Sequence, residues 1–391
     1  MLDVLIVGGG PVGLFLGCLL ARRGLKVQVL ERRAARSGHS RAVGIHPPAL
    51  HAFEGLGLVQ PFLDAGVTIT GGVVFVPDGF LGELSFRAAS PRYPFILSLP
   101  QRETEGVLEQ RLGELAPGTL RRGVEVQALR DEGTHVSVTC REGGREETMP
   151  ARFVVGADGT RSTVRDVAGI AFPGGIYADK YLMGDFPDTT AFRQSAAIYL
   201  VEEGVVESFP LPGGMRRWVA RTETLMNGAG VDDLAALVRE RTRLRLPAGD
   251  YTMLSAFEVR HHLAERMVVG RVLLVGDAAH EISPIGGQGM NLGWLDAAAL
   301  APLLEGALRD APGARAALLG YERRRQRLAR LATRQAEFNM AFGRPARGAA
   351  RRVREGVLRG LLSPPVQPLL ARAFTMRWGA AGGGETRCPE S

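Results

Sequence analysis

The sequence predicts an α/β fold: a parallel-sheet domain of the doubly wound type, interrupted by mainly antiparallel β-rich insertions and followed by a C-terminal helical segment. Three observations predict it. A β-branched run, Asp3-Val4-Leu5-Ile6-Val7, leads into Gly8-Gly9-Gly10-Pro11-Val12-Gly13, as a buried parallel strand entering a tight turn would. Two more apolar runs end in polar glycine turns: Phe153–Val155 in Gly156-Ala157-Asp158-Gly159, and Val272–Val275 in Gly276-Asp277. Between these points, alternating runs separated by Gly and Pro replace the strand–helix rhythm. Ligands of open α/β sheets sit beyond the carboxyl ends of the strands, so the three ends are expected to converge on one crevice.

Each element has a local reason. Gly8, Gly10 and Gly13 fit G-x-G-x-x-G: the first permits the turn, the second lets a pyrophosphate approach the backbone, the third lets helix and strand pack closely. The helix Leu14–Arg23 follows, its N-terminus presenting free N–H groups to phosphate. Gly24 stops it, and the strand Lys26–Leu30 ends at Glu31, 18 residues past Gly13 (31 − 13), near the spacing of a carboxylate that accepts ribose hydroxyls. Pro47–Leu56 reads as a helix. Thr68–Leu99 reads as β-sheet, with Val73–Val76 and Pro94–Leu99 as strands. Gln101–Leu115 is helical by the spacing of Val107, Leu108, Leu112 and Leu115, and Val124–Leu129 with His135–Cys140 form a hairpin. Residues 173–260 are again β-rich, with strands at Ala196–Leu200, Glu207–Pro210 and Trp218–Arg221. Arg271–Asp296 carries an acid at a strand end, a Pro/Gly loop and a helix start. Asn291–Arg309 and Tyr321–Phe342 are helical, Pro364, Pro365 and Pro368 break a last apolar stretch, and the glycine-rich tail after Gly379 is expected to be mobile. Residues 1–66, 98–172 and 262–330 are therefore assigned to the nucleotide-binding domain, 67–97 and 173–261 to a β-rich substrate domain, and 331–391 to C-terminal helices and tail.

Composition narrows the class. The 391 residues are 45% apolar and 23% charged, ordinary for a globular protein. No apolar run reaches the roughly 18–20 residues of a membrane span, and Leu14–Leu20 lies inside the first βαβ pattern rather than in a signal peptide. Three scattered cysteines, Cys18, Cys140 and Cys388, argue against a disulfide framework and for a reducing, cytoplasmic location. Lys26 and Lys180 are the only lysines. Residues 321–354 hold eleven Arg against Glu322 and Glu337. A solvated helix face is the favoured reading of that tract and peripheral membrane contact the lesser one. Nucleic acid is not expected, since no stacking platform or helix-turn-helix accompanies the charge. There is no Ser-His-Asp triad and no metal-ligand cluster.

The three glycine motifs, taken with Glu31, with Arg161, Ser162 and Arg165 after the D-G turn, and with His280 and Pro284 after the G-D turn, resemble the flavoprotein aromatic hydroxylases: single-component FAD monooxygenases similar to p-hydroxybenzoate hydroxylase. The resemblance covers roughly residues 1–340 and implies a Rossmann-like FAD-binding domain. By it, Gly8, Gly10, Pro11, Val12 and Gly13 approach the pyrophosphate, Glu31 takes the adenosine ribose with Arg32 adjoining, and Arg41 reaches the pyrophosphate. Gln101 and Asp158 contact the cofactor, and Gly276-Asp277 hold the ribityl chain. Gly289, Met290 and Asn291 lie beneath the isoalloxazine ring, with Pro284, Gly286 and Gly287 as the flavin-proximal loop. Gly286-Gly287-Gln288-Gly289 would aim N–H groups at the anionic edge of reduced flavin. Asp158 suits an Asx-type turn equally well, and His280 reads as a hydrogen-bonding residue near the loop rather than a catalytic one.

The implied activity is hydroxylation of a small aromatic substrate, phenolic or polyketide-like, with O2 and NADPH or NADH through a flavin C4a-hydroperoxide. The cofactor carries that step while the protein orients substrate and excludes water. The alternative is an FAD-dependent reductase or dehydrogenase acting on a quinone or isoprenoid. A halogenase is disfavoured because Trp218, Trp294 and Trp378 are isolated and no lysine falls between Lys26 and Lys180. The nicotinamide has no second Rossmann unit. Arg32, Arg33, Arg36 and His39 are its candidate contacts or, equally, a solvated basic loop. Tyr199, Phe209, Arg216, Trp218 and Arg221 are candidates for the substrate wall, with strand register undetermined. No Ser-x-Arg clamp for a benzoate carboxylate is present, which leaves larger phenols open. A monomer or homodimer is expected.

Overall fold

Leu2–Val7 is the axis of the first sheet. It pairs in parallel with Val27–Glu31 on one side and Arg145–Gly156 on the other, and Arg145–Gly156 pairs in parallel with Val272–Leu274. The structure, a computed structural model, describes residues 1–36 and 42–377. His39, Arg41, Trp378, Cys388 and the tail after Gly379 lie outside the described residues. The registers Val7↔Leu30, Val7↔Gly156 and Gly156↔Leu274 bring the carboxyl ends of these strands level. The expected convergence follows from that register. Leu120–Arg122 extends the sheet at one edge and Val268–Val269 closes the other. Val124–Asp131 and Val136–Glu142 form an antiparallel meander on Arg145–Gly156.

Chain geometry at the first turn is tight. Gly8 has φ +110, and a Cβ there would lie 2.4 Å from the Ala157 carbonyl oxygen. A Cβ on Gly13 would lie 1.9 Å from the Gly8 carbonyl oxygen, so helix Pro11–Arg22 rests on the strand only because that position lacks a side chain. This helix buries Leu14, Phe15, Leu16, Cys18 and Leu20. Phe53 meets Phe15, Phe62 and Trp294 edge-on, with ring centroids 4.7, 4.8 and 5.0 Å apart. The Trp294 indole N–H donates to the Pro11 carbonyl at 3.1 Å, tying helix Gln288–Leu308 to the start of the chain.

Val67–Ile69 and Ile96–Ser98 join Gly44–Ile45 in a separate sheet of three, while most of the β-rich segments combine into one sheet of eight strands. Its order is His280–Glu281, Met253–Leu263, Gly174–Pro187, Met215–Thr222, Gly204–Leu211, Ser195–Val201, Gly71–Val76, Gly79–Ser85. All pairings are antiparallel except Ser195–Val201 with Gly71–Val76. Period-2 alternation divides its side chains between two faces. Leu182, Tyr199, Val206, Trp218 and Ala220 pack against Leu234 and Val238 of helix Val231–Thr242. Met183, Leu200, Val205, Val219 and Phe257 pack toward Ile285 and Met340.

Three expected borders lie within secondary-structure elements. Those at 97/98, 261/262 and 330/331 fall inside Ile96–Ser98, Met253–Leu263 and helix Ala314–Gly343. Backbone hydrogen bonding runs through these positions without a break, while composition changes there. The Arg-rich tract is also not simply a solvated face. Arg325 and Arg354 are buried. Arg354 donates to the carbonyls of Leu200, Val201, Phe342 and Arg344, and Arg344 pairs with Asp179 at 2.7 Å. No described helix is long and apolar enough to cross a membrane.

Candidate active site

One cavity of about 1140 Å³ runs from the strand ends of the first sheet to the inner face of the second. At its first end stand Gly8, Gly10, Pro11, Val12, Glu31, Arg32, Gln101 and Asp158. Midway come Asp277, Pro284, Gly286, Gly287, Gly289 and Met290. The far end is carbon-rich, with Ile198, Leu200, Val205 and Val219 from the sheet and Phe342, Leu358, Leu362 and Phe374 from the C-terminal helices. The end of helix Ala314–Gly343, together with helices Gly348–Leu361 and Gln367–Phe374, completes a wall that was expected from the β-rich insertions alone.

Glu31 ends its strand with both carboxylate oxygens engaged: Oε2 accepts from the Gly9 N–H at 2.8 Å, Oε1 from the Arg33 N–H at 2.9 Å and the Arg33 guanidinium at 3.0 Å. Burial pushes its pKa up, but the Arg33 and Gly9 donors outweigh burial and hold the carboxyl below its ordinary value. Free lone pairs remain for hydroxyl donors from the cavity. Asp277 is the opposite case. It is open to solvent inside the cavity yet enclosed by protein. Among the described residues, no side chain or backbone group hydrogen-bonds its carboxyl. That enclosure raises its pKa to about 6, against the lowering effect of His280.

The turn that carries Asp277 is fixed from behind. Asp296 Oδ2 accepts from the Gly276 N–H at 3.0 Å and lies 2.6 Å from His280 Nε2, while Oδ1 takes the Arg325 guanidinium. Burial pushes the Asp296 pKa up, but Arg325 and His280 more than compensate and keep it low. Asp296 and Arg325 were missed by the sequence reading, although an acid inside the apolar stretch Asn291–Leu300 is a signal that could have found them. Arg165, also buried, donates to the carbonyls of Ala278 and Thr160 and covers the Phe172 ring at 3.9 Å, joining the D-G turn to the G-D turn. Asp158 accepts from Ser162 Oγ at 2.6 Å and the Val164 N–H at 3.2 Å, so it shapes its turn as well as facing the cavity.

The flavin-proximal loop is built for close approach. Gly286 and Gly287 have φ +93 and +66, and Gly287 caps helix Gln288–Leu308, whose first turn faces the cavity. Three expected contact residues stand behind the wall instead of on it. Gly13 and Gly276 are packed against Gly8 and Val12. Asn291 is spent on the backbone: its amide donates to the carbonyls of Gly44 and Gly287, and its oxygen accepts from the His46 N–H. His46, not foreseen, lines the cavity beside Gly287, and burial lowers its pKa to about 4.

Of the five substrate-wall candidates, only Phe209 lines the cavity. Tyr199 and Trp218 face helix Val231–Thr242. Arg216 is paired with Asp188 at 2.9 Å and Arg221 with Asp179 at 3.2 Å. The wall uses the other strand parity. Of the candidate nicotinamide contacts, Arg32 and Arg33 line the cavity, whereas Arg36 lies 3.8 Å from Glu109.

The arrangement fits an extended dinucleotide. Gly10 has open space where a Cβ would stand, an unpartnered acid waits midway, and the buried Gln288 amide beside the loop has no protein partner. The matching family model is the FAD binding domain, over residues 1–336, and the chain belongs to that family. It is 35% identical over 311 residues to rifampicin monooxygenase of Streptomyces venezuelae, covering 76% of this chain and 62% of that protein. It is 35% identical over 312 residues to 6-methylpretetramide 4-monooxygenase of Streptomyces rimosus, covering 76% and 55%. The fold matches OxyS anhydrotetracycline hydroxylase from Streptomyces rimosus with a TM-score of 0.79 at 29% identity, over 96% of this chain and 75% of that one. The chain thus spans about three fifths of the length of the curated relatives it matches.

Proposed function

We propose that the protein is an FAD-dependent monooxygenase that hydroxylates a phenolic or polyketide-like aromatic substrate, using O2 and electrons from NADPH or NADH. One observation carries the reading: a single lumen leads from Glu31 and the Gly8–Gly13 turn, past Asp277 and the Gly286–Gly287 loop, into an apolar chamber. Bound there, FAD would supply oxygen activation. Glu31 would accept the ribose hydroxyls, the Gly10 region would admit the pyrophosphate, and Asp277 would accept hydroxyls of the ribityl chain. Gly289, Met290 and the helix N-terminus would support the isoalloxazine edge, with Arg32 and Gln101 flanking the adenosine half. Residues 1–66, 98–172 and 262–330 would thus hold the cofactor, and 67–97 with 173–261 the substrate.

The chamber excludes water through its carbon lining and orients the ring to be hydroxylated. The relatives' named activities, on rifampicin, 6-methylpretetramide and anhydrotetracycline, favour a fused-ring substrate. Cys18 and Cys140 are buried free thiols, in keeping with a cytoplasmic protein. The test is a spectrum of the purified protein, followed by NADPH and O2 consumption across a panel of phenols. Substrate-stimulated consumption with a hydroxylated product supports the proposal, and anaerobic turnover with a quinone acceptor instead would replace it with the reductase reading.

A further inference from the structure

Among the described residues, the sheet side of the apolar chamber contains one carboxyl without a protein partner. Glu207 lies on Gly204–Leu211 with Val205 and Phe209, all three on the lumen side, and its cross-strand neighbours are Ile198 and Val219. Among the described residues, no hydrogen bond or ion pair engages its side chain. Ile285, from the loop that carries Gly286 and Gly287, belongs to the same apolar cluster as Val205 and Val219, so Glu207 and this loop line one cavity.

The ionisable groups on the neighbouring strands and C-terminal helices are engaged elsewhere, Tyr181 excepted. Arg217 is held by Asp185 through two hydrogen bonds at 2.7 and 2.8 Å. Arg221 and Arg344 share Asp179, and Arg354 is turned to backbone carbonyls. Tyr181 is the nearby group whose ionisation the Glu207 charge opposes, and its hydroxyl is buried without a protein partner. Burial alone raises the Glu207 pKa to about 7, so its charge changes near neutrality. An unpaired carboxyl in an apolar wall is costly for folding. Such a group is explained when a ligand supplies the missing donor.

We propose that Glu207 accepts the hydrogen bond, and during turnover the proton, of a phenolic hydroxyl, and that the substrate is a neutral, largely apolar polycyclic phenol. This rests on the monooxygenase reading. In the step, the phenol O–H bond breaks and an O–H bond forms on a carboxylate oxygen of Glu207. The electron pair stays on the phenol oxygen and enriches the ring carbons ortho and para to it. One of these forms the new C–O bond to a hydroxyl oxygen derived from O2, and its C–H proton moves to the phenol oxygen as the ring regains aromaticity. The second oxygen atom leaves as water, with the electrons supplied by the nicotinamide. The Glu207 proton then passes to solvent as product leaves. No redox partner beyond O2 and the nicotinamide is required.

The probes are 1-naphthol and its methyl ether, 1-methoxynaphthalene, measured by equilibrium dialysis against the FAD-loaded protein. Wild type is expected to hold naphthol about tenfold or more tightly than the ether at about pH 8, with a smaller ratio at about pH 6, where Glu207 is protonated. Glu207→Leu brings the ratio to near one at both pH values while leaving ether binding intact. Glu207→Gln keeps naphthol binding and loses its pH dependence, and the low-pH limb of kcat disappears with it. An unchanged ratio in Glu207→Leu overturns the proposal, as does failure of the FAD-loaded wild type to bind naphthol. Phenol-stimulated NAD(P)H oxidation is scored separately: if it persists while the ratio is unchanged, the assignment of Glu207 falls and the monooxygenase reading stands.

Discussion

Two carboxylates that the sequence marks by the same rule, an acid just beyond a strand, end in opposite electrostatic states. Glu31 accepts three protein donors that hold it ionised while leaving lone pairs for a ligand, whereas Asp277 has no partner among the described residues and its pKa is raised to about 6. Asp277→Ala is therefore expected to weaken FAD retention by about 10–100-fold, the value of a hydrogen bond to a charged acceptor, read as the flavin absorbance that survives dialysis. The same reasoning gives a pH signature. Glu207 has a folded pKa above its ordinary 4.5, so its contribution to stability is complete below about 4.5 and is lost as pH rises through about 7. The Tm of Glu207→Gln relative to wild type should accordingly climb across that window and then level off. A flat difference would show that burial does not perturb this carboxyl. The acids at strand ends could be read from the chain because position after a strand fixes them. Glu207 could not, since a strand's inward parity depends on a register that only the folded partners set.

Among the elements, the strand–turn–helix units were the most legible, and helix starts the least. Helices Gln288–Leu308 and Ala314–Gly343 both begin earlier than apolar spacing suggests. Each is capped by a glycine with positive φ, Gly287 and Gly313, so the Ser, Thr, Asp or Asn that usually announces an N-terminus is missing. Gly13→Ala tests the first helix: with a Cβ placed 1.9 Å from the Gly8 carbonyl oxygen, the helix must lift from its strand. The expected loss is about 1–3 kcal/mol in chemical denaturation, together with weaker flavin binding. Arg325→Leu tests the brace behind the G-D turn. It leaves buried Asp296 without its guanidinium, and breaking one side of such a pair costs about 3–5 kcal/mol. A drop of under about 1 kcal/mol would mean that His280 alone compensates the charge.

At the scale of the whole molecule, the sequence disclosed that three distant strand ends meet. It did not disclose that the C-terminal helices close the chamber, because their apolar residues carry no mark of what they face. Arg354 links the two regions, donating to Leu200 and Val201 on the sheet and to Phe342 and Arg344 at the end of the long helix. Arg354→Ala should destabilise the protein by about 2 kcal/mol and increase binding of a hydrophobic dye, measured by urea titration and dye fluorescence. The undivided lumen has a further consequence. With no partition between its two halves among the described residues, the coenzyme itself would serve as the floor of the reaction chamber. Loading would then be ordered, and a chain stripped of flavin would lose its ability to discriminate among aromatic guests before it lost its fold.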